Sequence, residues 1–173
     1  MNLYAKIKES ANTKAGNSIE EICDYVYKDC NGDMEYFPEP EQMDYIADVT
    51  KGEYNKIKKI VGKAIYNVAD NKYNGYIELS DNSTLNHLRG NFDNEDPDKV
   101  MQEYGSLINS AFAEFEAKTG IEIWQDGRMG RHIIVEDNFY NAYHYDELCR
   151  VQEELENWVI DELEKLYPET EEE

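Results

Sequence analysis

The sequence predicts an α+β fold: a mainly helical single domain with a small antiparallel sheet and a long, acidic C-terminal helix. Apolar residues recur at helical spacing in four stretches, two of which carry clear start and stop signals. Short alternating segments beside Gly-rich turns read as strands: Tyr76–Ser80, and a hairpin over about 121–136. With 173 residues, 40% apolar and 12% aromatic, the chain is long enough and apolar enough to bury one core. The expected unit is a single domain over residues 1–167, followed by a flexible acidic tail over 168–173.

The first helix is announced by Ser18-Ile19-Glu20-Glu21, where the serine caps and Glu21 completes the capping box. Ile19, Ile22, Cys23, Val26, Tyr27 and Cys30 continue it, and Asn31-Gly32 ends it. Pro38 and Pro40 mark a loop, and a short helix is expected over Gln42–Val49. A longer helix runs from Glu53 to about Ala69, with Tyr54, Ile57, Val61, Ala64, Ile65 and Val68 on one face. Tyr76–Ser80 follows the turn signal Asn74-Gly75, and one helical turn is expected over Ser83–Leu88. Asp96-Pro97-Asp98 is the clearest helix start, a cap followed by proline at the first helical position. Its buried stripe is Val100, Tyr104, Leu107, Ile108, Ala111, Phe112 and Phe115, and Gly120 stops it. Ile121–Trp124 and His132–Glu136 read as two strands joined by QDGRMGR. The final helix runs from Asn138 or Asp146 to Leu166.

Charge sets the kind of partner. The chain has 38 acidic against 17 basic residues, a net charge of −21. Such a charge repels nucleic acid and anionic membrane surfaces and favours a basic protein surface. No apolar run is long enough for a membrane span, and the N-terminal MNLYAKIKES lacks a signal-peptide core. Cys23, Cys30 and Cys149 are odd in number and lack CxxC spacing, which fits reduced thiols in a cytoplasmic protein. Fourteen tyrosines outnumber five phenylalanines and two tryptophans, giving apolar bodies with polar rims that suit a contact surface.

The acidity concentrates at the C-terminus, where residues 146–173 hold twelve carboxylates against Arg150 and Lys165. On a helical wheel Leu148, Val151, Leu155, Val159, Leu163 and Leu166 cluster on one side, with Trp158 at its flank. Asp146, Glu153, Glu154, Asp161 and Glu164 fall opposite, with Glu147 and Glu162 on the same helix. Eight acids between Asp146 and Glu164 span about 27 Å, or about one per 3.4 Å, close to the phosphate spacing along one DNA strand. Like charges at i,i+4 each cost a few tenths of a kcal/mol, which the apolar stripe offsets. The aromatic, acid-rich stretch Asp24–Asp48 would extend the same surface. As a bland alternative, these residues form a solvated helix face and a frayed tail.

An acid-dense terminal helix followed by PETEEE resembles phage-encoded DNA mimics, the Ocr-like antirestriction proteins and the acidic anti-CRISPR inhibitors. The resemblance covers about the last 30 residues and is compositional. It implies a non-enzymatic inhibitor that blocks a basic, nucleic-acid-binding defence nuclease of the host, with no cofactor. Trp124–Ile133 is similar to a W-x-x-GR-x-G hairpin of phage and mobile-element proteins that brings no known activity. The alternative is a small acidic adaptor or immunity-type protein whose basic partner is unrelated to nucleic acid.

Arg128 and Arg131, in the Gly-rich turn, form a candidate partner contact, or else pair with acids such as Glu122 or Glu136. Lys56, Lys59 and Lys63 make a basic stripe, either a small nucleic-acid patch or, as the net charge favours, a face that docks onto the acidic surface within the chain or across a dimer. Asp70–Asp81 approaches a calcium loop, with Asp at position 1, Asn at 5 and Gly at 6. Lys72 stands where an oxygen ligand is required and Asp81 replaces the final Glu, so a helix–turn–strand junction is favoured. His87, His132 and His144 show no metal-ligand spacing, and no P-loop, GxGxxG or GxSxG occurs. A His132/His144/Glu136 grouping is the residual enzymatic alternative.

Overall fold

The computed structural model describes residues 18–43, 49–80, 96–126 and 132–168. Helix α1 (Ile19–Asp29) starts where Ser18 Oγ accepts a hydrogen bond from the Glu21 amide at 3.1 Å. It ends at Asn31 and Gly32, with φ of 54° and 64°, the left-handed conformation that glycine and asparagine adopt most readily. Two 3₁₀ turns follow, Met34–Tyr36 and Pro40–Gln42. The helix expected over Gln42–Val49 is replaced at its start by the second turn, and residues 44–48 lie outside the described residues. Helix α2 (Lys51–Val68) begins two residues earlier than expected because Thr50 and Glu53 cap one another's backbone reciprocally. Helix α3 (Pro97–Thr119) opens at the Asp96 cap and closes on Gly120 at φ 71°.

Among the described residues the sheet has four antiparallel strands in the order β1 (Lys72–Tyr73), β2 (Tyr76–Ser80), β4 (His132–Glu136), β3 (Ile123–Asp126). Asn74 and Gly75 both take positive φ, 47° and 83°, the hairpin-turn signature that joins β1 to β2. The calcium-like stretch is therefore a hairpin at its centre. Strand β3 starts two residues after the expected Ile121: Thr119 Oγ1 accepts the Ile121 amide at 3.1 Å, keeping Ile121 in the helix stop. The expected turn at Ser83–Leu88 lies outside the described residues.

Both expected starts of the last helix are real. Asn138 caps a short helix α4 (Phe139–Tyr143), and after a break at His144 helix α5 runs from Tyr145 to Leu166. Among the described residues the buried hydrophobic side chains form one cluster. Helices α1, α2 and α4 pack together, while α5 lies chiefly on α3 and also meets β2. One sheet face joins the cluster through Ile77, Leu79, Ile123, Ile133 and Val135.

The β1–β2 hairpin is tied to this body by a polar node. Asp137 accepts from the Tyr27 hydroxyl at 2.6 Å and pairs with Lys72 Nζ at 3.2 Å. Lys72 also donates to the Gly32 carbonyl at 3.3 Å and stands 5.0 Å over the Tyr27 ring. The cation that spoils a calcium site is thus a structural clamp. A Cβ at Gly32 would lie 1.8 Å from Lys72 Nζ, at a φ of +64°. Gly32→Ala is therefore expected to cost about 1–2 kcal/mol, since the left-handed backbone alone carries a penalty of that order. Urea unfolding measures it; an unchanged midpoint would show that the clamp has slack.

Candidate partner-binding surface

Helix α5 buries Leu148, Gln152, Leu155, Val159 and Leu163, spaced by three or four residues along its length. This stripe is rotated slightly from the expected one. Val151 is only half-buried, Leu166 and Trp158 are 55% and 37% exposed, and Gln152 takes a core position instead. Asp146 and Glu147 occupy the first turn and Lys165 the last, each where the helix dipole favours its charge.

The stripe turns a row of carboxylates outward. Asp146, Glu153, Glu154, Asp161 and Glu164 are all exposed. Glu147 and Glu162 sit at the flanks, Glu147 paired with His144 Nδ1 at 3.5 Å and Glu162 with Lys165. The five outward acids are spread over about 27 Å, or one per ~7 Å, roughly half the linear density of phosphates on one DNA strand. Arg150 belongs to the same face and is exposed. It stands four residues after Asp146 and four before Glu154, the spacing at which opposite charges relieve repulsion on a helix. Its i,i+4 relation to both acids is plain in the sequence. On neighbouring α3, Lys118 pairs with Glu114 at 2.8 Å and feels the field of Glu154.

The remaining expected site residues are placed less centrally. Arg128 and Arg131 lie outside the described residues, as do His87, Asp81 and 169–173. Within Asp24–Asp48 the acids have local duties: Asp24 holds Lys28 at 2.6 Å, and Asp33 caps the first 3₁₀ turn. Lys56, Lys59 and Lys63 are exposed on α2. Among the described residues no ion pair joins them to a carboxylate; Lys63 instead lies 5.1 Å over the Tyr143 ring. Among the described residues the stripe does not pair with the acidic surface. His144 sits at the α4–α5 junction against Glu147 and the Tyr143 ring. Among the described residues no three of His, Cys, Asp and Glu cluster as a metal site requires. No helix there is long and apolar enough to cross a membrane.

Burial governs the thiols. It pushes Cys23 up to about 12, with Lys56 opposing weakly, and raises Cys30 and Cys149 as well. Burial likewise raises the Tyr27, Tyr140 and Tyr145 phenols. None of the three thiols is set up as a thiolate nucleophile. A folded-state pKa above the unfolded one, about 8.5 for Cys, means that the native chain retains protons the unfolded chain releases. The stabilisation is complete below that value and shrinks as pH rises toward the folded pKa. The urea midpoint is expected to fall steadily between about pH 8.5 and 11; a flat profile would contradict this account.

No known family profile, curated protein or solved structure matches this chain. Its functional reading therefore rests on its own surface chemistry.

Proposed function

We propose that the protein is a non-enzymatic, acidic inhibitor that occupies the cleft of a basic, nucleic-acid-binding defence nuclease, with the α5 carboxylates standing in for phosphates. The observation that carries this reading is the outward row Asp146, Glu153, Glu154, Asp161 and Glu164 on one ordered helix. A rigid row meets a Lys/Arg-lined cleft without the ordering cost of a disordered acidic tail. The chain's own charge of −21 would steer it to such a cleft and away from nucleic acid. The attraction between the α5 row and a basic cleft is screened by salt, so binding should weaken as salt rises. The test is competition: the protein should displace DNA or guide RNA from its partner nuclease, with inhibition lost as salt rises. A partner that binds both at once excludes the mimic.

Arg150 favours a second reading, because a phosphate array carries no cation. In that reading the protein is an acidic adaptor or immunity-type protein, and Arg150 makes a specific contact with a partner unrelated to nucleic acid. The two readings give opposite signs for Arg150→Gln. A mimic gains charge density and should bind more tightly with a steeper salt slope; an adaptor should bind more weakly. Calorimetry at two salt concentrations separates them.

A further inference from the structure

The sheet offers a second surface, chemically unlike α5. Directly opposed residues share a face, and the register sets Tyr73 against Tyr76, Tyr76 against Glu136, and Trp124 against Ile134. These five residues lie on the side away from Ile77, Val135 and Ile123, which are buried in the core. Tyr73, Tyr76 and Trp124 are 53%, 40% and 36% exposed. Tyr76 and Trp124 lean together across β4, their ring centroids 5.6 Å apart and their planes at 78°. Glu136, exposed and beside Tyr76 in the register, adds a carboxylate to this corner.

Two rings at near right angles with an adjacent carboxylate match one ligand chemistry. Ring faces attract a cation through their quadrupole, and the carboxylate supplies the formal charge. A second copy of the chain is a poor occupant, since it would press Glu136 against its own mate and bring together two chains of net charge −21. Nucleic-acid bases stack on such rings only beside a basic groove that draws in the backbone, whereas here the flanking group is acidic.

We propose that the solvent-facing side of the sheet, formed by Tyr73, Tyr76, Trp124, Ile134 and Glu136, is a docking surface for an arginine or lysine side chain of a basic polypeptide. The cation lies against the Tyr76 and Trp124 rings and pairs with Glu136, while Tyr73 and Ile134 extend the apolar floor. Buried aromatic anchors of this kind dominate interface energy, whereas peripheral charges mainly set encounter rate and salt dependence. This surface shares with the α5 reading only the basic character of the partner, and it uses none of the same residues.

The test uses the full chain carrying Trp158→Phe, which leaves Trp124 as the one tryptophan of the two in the sequence. Titration with a hexa-arginine peptide is expected to change Trp124 emission saturably. Tyr76→Ala and Glu136→Gln are each expected to weaken that response by about tenfold, with circular dichroism confirming an intact fold. Replacing Glu153, Glu154, Asp161 and Glu164 by lysine should leave the Trp124 response in place, so this inference and the α5 reading can fail separately. An emission unchanged by the peptide, an affinity indifferent to Glu136→Gln, or sedimentation showing a dimer that Trp124→Ala dissolves would overturn the proposal.

Discussion

Replacing Glu153, Glu154, Asp161 and Glu164 together by lysine is expected to weaken binding to the proposed basic partner by about a thousandfold or more. Four outward charges change sign, and losing even a modest charge pairing at each position, about 1 kcal/mol, multiplies to that factor. The reversal adds like-charge repulsion against a basic cleft, so the true effect should exceed simple loss. All four side chains are exposed and outside the buried stripe, so the fold should survive. Thermal unfolding and far-UV circular dichroism check that point. The corresponding Gln and Asn variants should fall between wild type and reversal and show a shallower salt slope. Binding unchanged in the lysine variant would remove α5 from the interface altogether.

Asp137→Ala is expected to lower the folding free energy by about 2–4 kcal/mol, because it strands two partners at once. The Tyr27 hydroxyl, in a side chain only 3% exposed, loses its acceptor. Lys72 Nζ, whose side chain is 21% exposed, loses its counter-charge while still held over the Tyr27 ring. Adding Lys72→Met to Asp137→Ala should recover part of the loss, since removing both charges is milder than orphaning one. Additive effects in that double-mutant cycle would show that the pair is not coupled. The damage should spread to the sheet face, because the node anchors the hairpin that carries Tyr73 and Tyr76.

Helices were legible wherever an apolar period coincided with a local stop or start. Asp96-Pro97 and Gly120 bracket α3, and Ser18 and Asn31-Gly32 bracket α1, because capping is decided by residues within one turn of the helix end. Strand β1 was not legible: two residues cannot display alternation, and only pairing with β2 makes Lys72–Tyr73 a strand. Gln152 was invisible for a different reason. Its phase fits the buried stripe, but its polarity argues for the surface, and only the docking of the helix as a whole buries it. Arg150 belonged to the acidic face by spacing alone and was within reach of the sequence. The Tyr76–Trp124 corner was not, since it depends on a register across β4 that brings together residues 48 positions apart in the chain. The Asp137–Lys72 pair has the same character: a long-range contact leaves no local pattern to read.

The like-charged face of α5 makes ionic strength act with opposite signs on two equilibria. Within the chain, added salt shields Glu153, Glu154 and their neighbours from one another, so the helix docks more firmly on α3 and melts later. Between chains, the same shielding dissolves the attraction to a basic surface. The conditions that best preserve this protein on the bench are therefore those in which it should be least able to hold the basic partner proposed for it.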